Sequence, residues 1–181
     1  MASLIFLSQL SPARAGGFGK AQWGMSKNEV QEALNVEMSG SYYAPAILPF
    51  LALMSPPSGY EAFEAKYKLF GEDFTGFFIF DPEGGLSQVA MRFEAEGGIG
   101  VVTRGQKIVA EFEKSFTRQY GSVYKETADP FAVLASKTKM LHTMKEWLKD
   151  DTLAQLGTYN KFVEPYEYKV EATWRKETSP F

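Results

Sequence analysis

Polar and apolar residues alternate without interruption near the end of the chain. Tyr166, Tyr168, Val170, Ala172 and Trp174 alternate with Glu167, Lys169, Glu171, Thr173 and Arg175. Such a period predicts a strand with one buried face and one wet face. Phe63, Ala65, Tyr67 and Leu69 alternate in the same way with Glu64, Lys66 and Lys68, and Phe74 to Phe80 is a nearly continuous aromatic strand. Asp81-Pro82-Glu83-Gly84-Gly85 is a turn by composition. The return strand sets Val89, Met91 and Phe93 against Gln88, Ala90, Arg92 and Glu94. Two strands joined by a short Gly-rich turn form an antiparallel hairpin.

The period lengthens to helical in two places. After Trp23-Gly24-Met25, Ser26 and Glu29 have the spacing of a capping box, and Met25 and Val30 are placed as a hydrophobic staple. Val30, Ala33 and Leu34 share one face, which predicts a helix from Ser26 to Val36, with Gly40 ending any continuation. Thr103 and Gln106 repeat the capping-box spacing. Ile108, Phe112, Phe116 and Tyr120 then recur every four residues, with Val109 widening the stripe and Gly121 at the C-terminal stop. The second helix is therefore expected over 103–120.

Two segments are less regular. Pro45, Pro49, Pro56 and Pro57 punctuate residues 41–59, which excludes a helix or a central strand and leaves an insertion, or an edge strand with a loop. Met140, Leu141, Met144, Trp147 and Leu148 have helical spacing. Trp147-Leu148-Lys149-Asp150-Asp151-Thr152-Leu153 also reads as strand, turn, strand, and a hairpin from about Lys139 to Tyr159 is the favoured reading.

The predicted fold is α+β: an antiparallel sheet with both helices packed on one face. Helix then strands occurs twice, which raises a tandem duplication with half-repeats 23–96 and 103–176 inside one domain, 16–181. Phe80 followed by Leu86-Ser87-Gln88-Val89 resembles Trp147 followed by Leu153-Ala154-Gln155-Leu156 at the same spacing.

Composition narrows the function classes. A chain of 181 residues that is 45% hydrophobic and 15% aromatic can build a real core. The formal charge of -3 argues against nucleic acid as a partner. Arg104, Lys107, Lys114 and Arg118 are spread along a helix with Glu111 and Glu113 between them, too sparse to follow a phosphate backbone. The absence of cysteine excludes disulfides, thiolate nucleophiles and Cys-based metal sites. The longest apolar run, Ala44 to Met54, is too short for a membrane span and is broken by Pro49. Nothing in the pattern speaks to oligomeric state.

Leu4-Ile5-Phe6-Leu7 with Leu10 forms a short apolar region, and Ala13-Arg14-Ala15 fits an A-x-A cleavage site. An export signal is expected, with the mature chain beginning near Gly16. No positive charge precedes the apolar run, which fits a true start lying upstream. The expected compartment is periplasmic or secreted, in a bacterium.

Trp23-Gly24-Met25-Ser26-x-x-Glu29-Val30 followed by antiparallel strands resembles the opening of the BamE/SmpA-like fold. Two such units in tandem are similar to the β-lactamase inhibitor proteins. The chain also resembles bacterial exported domains with a Trp-Gly-x-Ser helix start and a Tyr-Gly helix end, here Tyr120-Gly121. The resemblance implies a layered α+β scaffold whose sheet face or loops contact another protein. No binding residue carries over by motif. Without cysteine, neither the lipid anchor of the assembly lipoproteins nor the disulfides of the secreted inhibitors carries over.

No catalytic, cofactor or metal constellation emerges. His142 is the single histidine, and its neighbours Met140, Leu141 and Met144 give it no chemical partner. Asp150-Asp151, the closest carboxylate pair, reads as turn chemistry, and Asp81 and Asp129 lie elsewhere. Gly97-Gly98-Ile99-Gly100 lacks both the Rossmann pattern and the Walker lysine. The expected function is non-catalytic binding of a protein partner. The candidate surfaces are the polar sheet face (Glu167, Lys169, Glu171, Arg175) and the 41–59 segment, with Tyr42, Tyr43 and Phe50. Two rivals are a carrier of a small apolar molecule or lipid between helices and sheet, and a hydrolase using scattered acids.

Overall fold

The computed structural model describes residues 16–43, 59–129, 140–161 and 165–177. The apolar run near Leu4, the Ala13-Arg14-Ala15 site, Phe50 and the four prolines of the 41–59 segment lie outside the described residues. The described chain opens with a small hairpin, β1 (Gly17–Phe18) and β2 (Ala21–Gln22). Helix α1 (Lys27–Leu34) leads into β3 (Ser39–Tyr43), β4 (Glu61–Leu69), β5 (Glu72–Phe80) and β6 (Leu86–Gly97). Helix α2 (Gly100–Tyr120) leads into β7 (Lys125–Asp129), β8 (Met140–Lys149), β9 (Thr152–Lys161) and β10 (Tyr166–Lys176).

Strands β3 to β10 form one eight-stranded antiparallel sheet in the order β3-β4-β5-β6-β10-β9-β8-β7. Each half is a helix followed by a four-strand meander, and the last strands of the two meanders pair at the centre. Residues 88–97 of β6 run opposite 166–175 of β10 over ten consecutive pairs. The α+β architecture and the 140–161 hairpin agree with the pattern reading. The Leu-x-Gln-apolar match does not map one half onto the other: Leu86 opens the fourth strand of the first meander, and Leu153 lies in the third strand of the second.

The first helix starts as its sequence predicts. Glu29 Oε2 accepts from the Ser26 N–H at 2.8 Å and from the Ser26 hydroxyl at 2.7 Å, which holds the Glu29 carboxyl below its usual value. Val30 is fully buried, with Met25 packed on the same core. The helix ends at Leu34, two residues earlier than expected, because Asn35 takes a left-handed conformation (φ 52). The Val36 N–H then closes back on the Gln31 carbonyl at 3.1 Å. Gly40 falls inside β3, beside a register irregularity between Ser39 and Tyr42.

The second helix begins at Gly100, three residues before the Thr103 start. Gly97 ends β6 at φ 153, and the Val101 and Val102 amides bond back to Gly98 and Ile99. Val101 and Val102 are both 8% exposed, so their burial recruits an additional turn and leaves Thr103 exposed inside the helix.

Both helices cover the same sheet face. Phe112 and Phe116 set their rings against Trp174 at 6.2 and 5.1 Å, and Phe116 also meets Trp147 at 5.0 Å. Phe70 and Phe74 close on Phe112 from the β4–β5 side at 4.9 and 5.8 Å. Phe18 of the small hairpin stands on Trp174 at 4.7 Å. The Trp23 indole N–H donates to Thr152 Oγ1 at 3.1 Å, anchoring the entry of α1 to β9. Gly24 and Met25 pair with Leu86 through backbone bonds of 2.9 and 2.8 Å, which fixes the same entry on β6.

Gly105 lets α2 sit this close. A Cβ at that position would run into the Tyr168 ring. Gly105→Ala is therefore expected to lose about 1–3 kcal/mol by overpacking, outweighing the roughly 1 kcal/mol that alanine gains in helix propensity. Urea denaturation of Gly105→Ala and of Gly105→Ala/Tyr168→Leu checks this. The double variant should recover part of the loss, and an unchanged midpoint for Gly105→Ala would contradict the steric account.

Candidate functional site

The sheet face away from the helices carries the predicted polar row of β10. Strand alternation places Glu167, Lys169, Glu171, Thr173 and Arg175 there, and the β6 register brings Glu94 opposite Lys169 and Arg92 opposite Glu171. The β9 register adds Tyr159 opposite Lys169, Gly157 opposite Glu171 and Gln155 opposite Thr173.

At the centre of this row, Glu171 Oε2 accepts from Arg92 Nη2 at 3.1 Å and from Arg92 Nε at 3.2 Å. Both side chains are largely out of water, at 18% exposure for Arg92 and 7% for Glu171. The second carboxylate oxygen, Oε1, is buried without a hydrogen-bond partner. Burial pushes the Glu171 carboxyl above its ordinary value of 4.5, Arg92 opposes the shift, and Glu94 adds to it. Arg92 also lies over the Phe77 ring at 5.1 Å.

Lys169 Nζ stands 3.7 Å from Glu94 Oε1 and 5.7 Å from the centre of the Tyr159 ring. With both side chains about half exposed, that pair contributes under ~1 kcal/mol and leaves its charges available to solvent. On the other side of Glu171, Thr173 donates to Gln155 Oε1 at 3.4 Å, and Gln155 Nε2 donates to Glu146 Oε1 at 2.8 Å. Arg175 turns to Glu177 at 3.1 Å.

The predicted wet face is thus wet only in part. Gln88, Gln155, Glu171 and Thr173 are 1–6% exposed, and Ala62, Phe77, Ile79 and Ala90 form a second apolar cluster among them. Large side chains such as Arg92 lie flat over their neighbours rather than standing into water. Glu167, Lys169 and Arg175 keep partial exposure.

Tyr42 and Tyr43 belong to β3, an edge strand of the sheet among the described residues, and pair with Ala62 and Glu61. Four strand spacings, roughly 19 Å, separate β3 from β10, so the two predicted surfaces are not one site. Asp150 and Asp151 form the β8–β9 turn, Asp150 at φ 54, as their composition predicts. His142 lies in β8 opposite Tyr159 and Asp129. Gly97 to Gly100 is the connection from β6 into α2. Arg92, Gln155 and Glu146 were not singled out as site residues. The alternation of β6 marks Arg92 alone, and only the β6–β10–β9–β8 pairing brings the three together.

Comparison with protein-family models, curated proteins and solved structures finds no match for the chain.

The buried pair makes a signed prediction. Arg92→Leu leaves the Glu171 carboxylate buried without its cation and is expected to cost about 3–5 kcal/mol at neutral pH. A carboxyl raised in the folded state keeps its proton where the unfolded chain has lost it. The Arg92→Leu protein should therefore regain stability as pH falls through the raised folded value towards 4.5. Arg92→Leu/Glu171→Leu should recover most of the loss at neutral pH and lack this pH component. Denaturant titrations at neutral and mildly acidic pH measure both effects.

Proposed function

We propose that the chain is a non-catalytic, exported binding protein that holds a protein partner against the sheet face opposite its helices. The observation that carries this reading is the charged ladder on that face. Arg92 and Glu171 are fixed at 3.1 Å in a largely dry centre, while Lys169 and Glu94 keep their charges in water beside them. A rigid sheet presenting charges at fixed spacings suits recognition of a complementary protein surface, where rim charges set orientation and association rate. Glu167, Lys169 and Arg175 are the proposed contacts, with Glu171 holding Arg92 in place. Tyr42 and Tyr43 on the distant edge, with Phe50, are a separate proposed surface.

Ring packing argues against the carrier reading. Phe112, Phe116, Trp147 and Trp174 are each at most 2% exposed and touch one another between α2 and the sheet, where a ligand would have to lie. Export rests on the Leu4–Ala15 pattern. The helix followed by a four-strand meander, met twice, supports a tandem arrangement of BamE/SmpA-like units.

Photo-cross-linking tests the assignment of the face. A photoreactive residue at Lys169 should trap one protein from a native periplasmic extract, and the same probe at Lys107 on the exposed side of α2 should not. Glu167→Lys/Arg175→Glu should abolish the adduct without changing the melting temperature. Equal labelling from both faces, or stoichiometric lipid extracted from the purified protein, would overturn the reading.

A further inference from the structure

Gly16 follows directly on the Ala13-Arg14-Ala15 pattern, and the fold places an acidic group against it. Gly16 is half-buried, and Gly17 and Phe18 after it are buried. The Gly16 carbonyl accepts from the Trp23 N–H at 3.1 Å, which pins that end of the residue beside the entry of α1. Its φ of 97 is a left-handed value that favours glycine. A Cβ on Gly16 would stand 3.1 and 3.2 Å from the two carboxylate oxygens of Asp151, and 3.0 Å from Trp23 Cδ1. Thr152 orients that carboxylate: its hydroxyl donates to Asp151 Oδ1 at 3.3 Å and accepts from the Trp23 indole at 3.1 Å. None of the ion pairs among the described residues uses Asp151. Lys149, two residues away, donates instead to the Gln119 carbonyl at 3.2 Å.

We propose, resting on the export reading, that a membrane-bound signal peptidase hydrolyses the Ala15–Gly16 bond and that the Gly16 α-ammonium so released docks on the Asp151 carboxylate. The oxygen of water bonds to the Ala15 carbonyl carbon, the C–N bond breaks, and both protons of the water end on the Gly16 nitrogen. The products at neutral pH are an Ala15 carboxylate and a Gly16 ammonium. A nitrogen with no residue before it is free to turn about the Cα–C bond. About a third of a turn carries it into the position of the absent Cβ without moving the carbonyl that Trp23 holds. Both Asp151 oxygens then lie at the distance of a charge-assisted hydrogen bond. Before cleavage the same nitrogen is a neutral amide, and it cannot make that turn without carrying Ala15 with it. A cavity of about 40 Å³ beside Gly16, Gly17 and Thr152 leaves space for the small shift that Trp23 Cδ1 requires. A side chain at position 16 would occupy the seat of the ammonium. Processing thus adds to the Trp23–Thr152 anchor a charge pair that the uncut chain lacks.

Incubating the full chain with bacterial signal peptidase in detergent micelles tests the cut. The intact mass should fall to that of residues 16–181, and Ala15→Phe should block the change. Asp151→Asn and Asp150→Asn, each compared in the processed chain and in the uncut Ala15→Phe chain, test the docking. Asp151→Asn should lower the melting temperature of the processed chain by about 2–4 °C and leave the uncut chain unchanged, while Asp150→Asn changes neither. Acetylation near pH 7, read by peptide mass spectrometry, is independent of stability. A paired ammonium keeps its proton, so Asp151→Asn should speed acetylation of Gly16 at least about threefold relative to Lys107. A chain that keeps Met1, or is cut at another bond, would overturn the export reading and the site with it. A chain cut at Gly16 whose acetylation is indifferent to Asp151→Asn, or an Asp151→Asn loss equal in the uncut chain, would overturn the docking and spare the cut.

Discussion

The β6–β10 pairing is the constraint on which the rest of the structure depends. These are the final strands of two meanders, and their ten opposed residue pairs turn two four-strand units into one sheet. On one side the seam sets Val89, Met91 and Phe93 beside Trp174, Ala172 and Val170, giving α2 an uninterrupted apolar floor. On the other it sets Arg92 beside Glu171 and Glu94 beside Lys169. The core and the candidate surface are therefore two faces of the same register. Because side chains alternate with period two, a slip of one residue would put Glu171 under the helix and Trp174 in the polar row.

The two faces use different physics. Under α2 the contacts are between rings, mostly edge to face, and Gly105 removes the one side chain that would hold the helix off Tyr168. On the far face, the central contact is a salt bridge whose carboxylate is only half satisfied. Such a pair contributes little net stability but penalises loss of either partner, so it specifies an arrangement more than it strengthens one.

Much of the fold could be read from periodicity, because each strand and helix announces itself locally. Tyr166 to Arg175 alternates without a break, and Ile108, Phe112, Phe116 and Tyr120 keep helical spacing. The Asp150-Asp151 turn decided correctly between hairpin and helix for residues 140–161. Local signals failed where tertiary burial competed with them: the Thr103 capping box is unused because Val101 and Val102 are drawn into the core. The candidate site was legible only along single strands. Glu171 and Lys169 stood out in the alternation of β10, but pairing Arg92 with Glu171 depends on β6 meeting β10, a contact between residues 79 positions apart. Nothing in the local pattern of either strand encodes that meeting.

The Trp23–Thr152 hydrogen bond joins positions 129 residues apart. Its consequence concerns the order of events as the chain emerges. The small hairpin and the start of α1 are made long before β9, the strand that anchors them. The last described strand, β10, then enters the middle of the sheet rather than extending an edge. Contacts of this separation make folding slow relative to local helix formation. The start of α1 is therefore locked by β9, and the segments around Trp23 and Thr152 become ordered together.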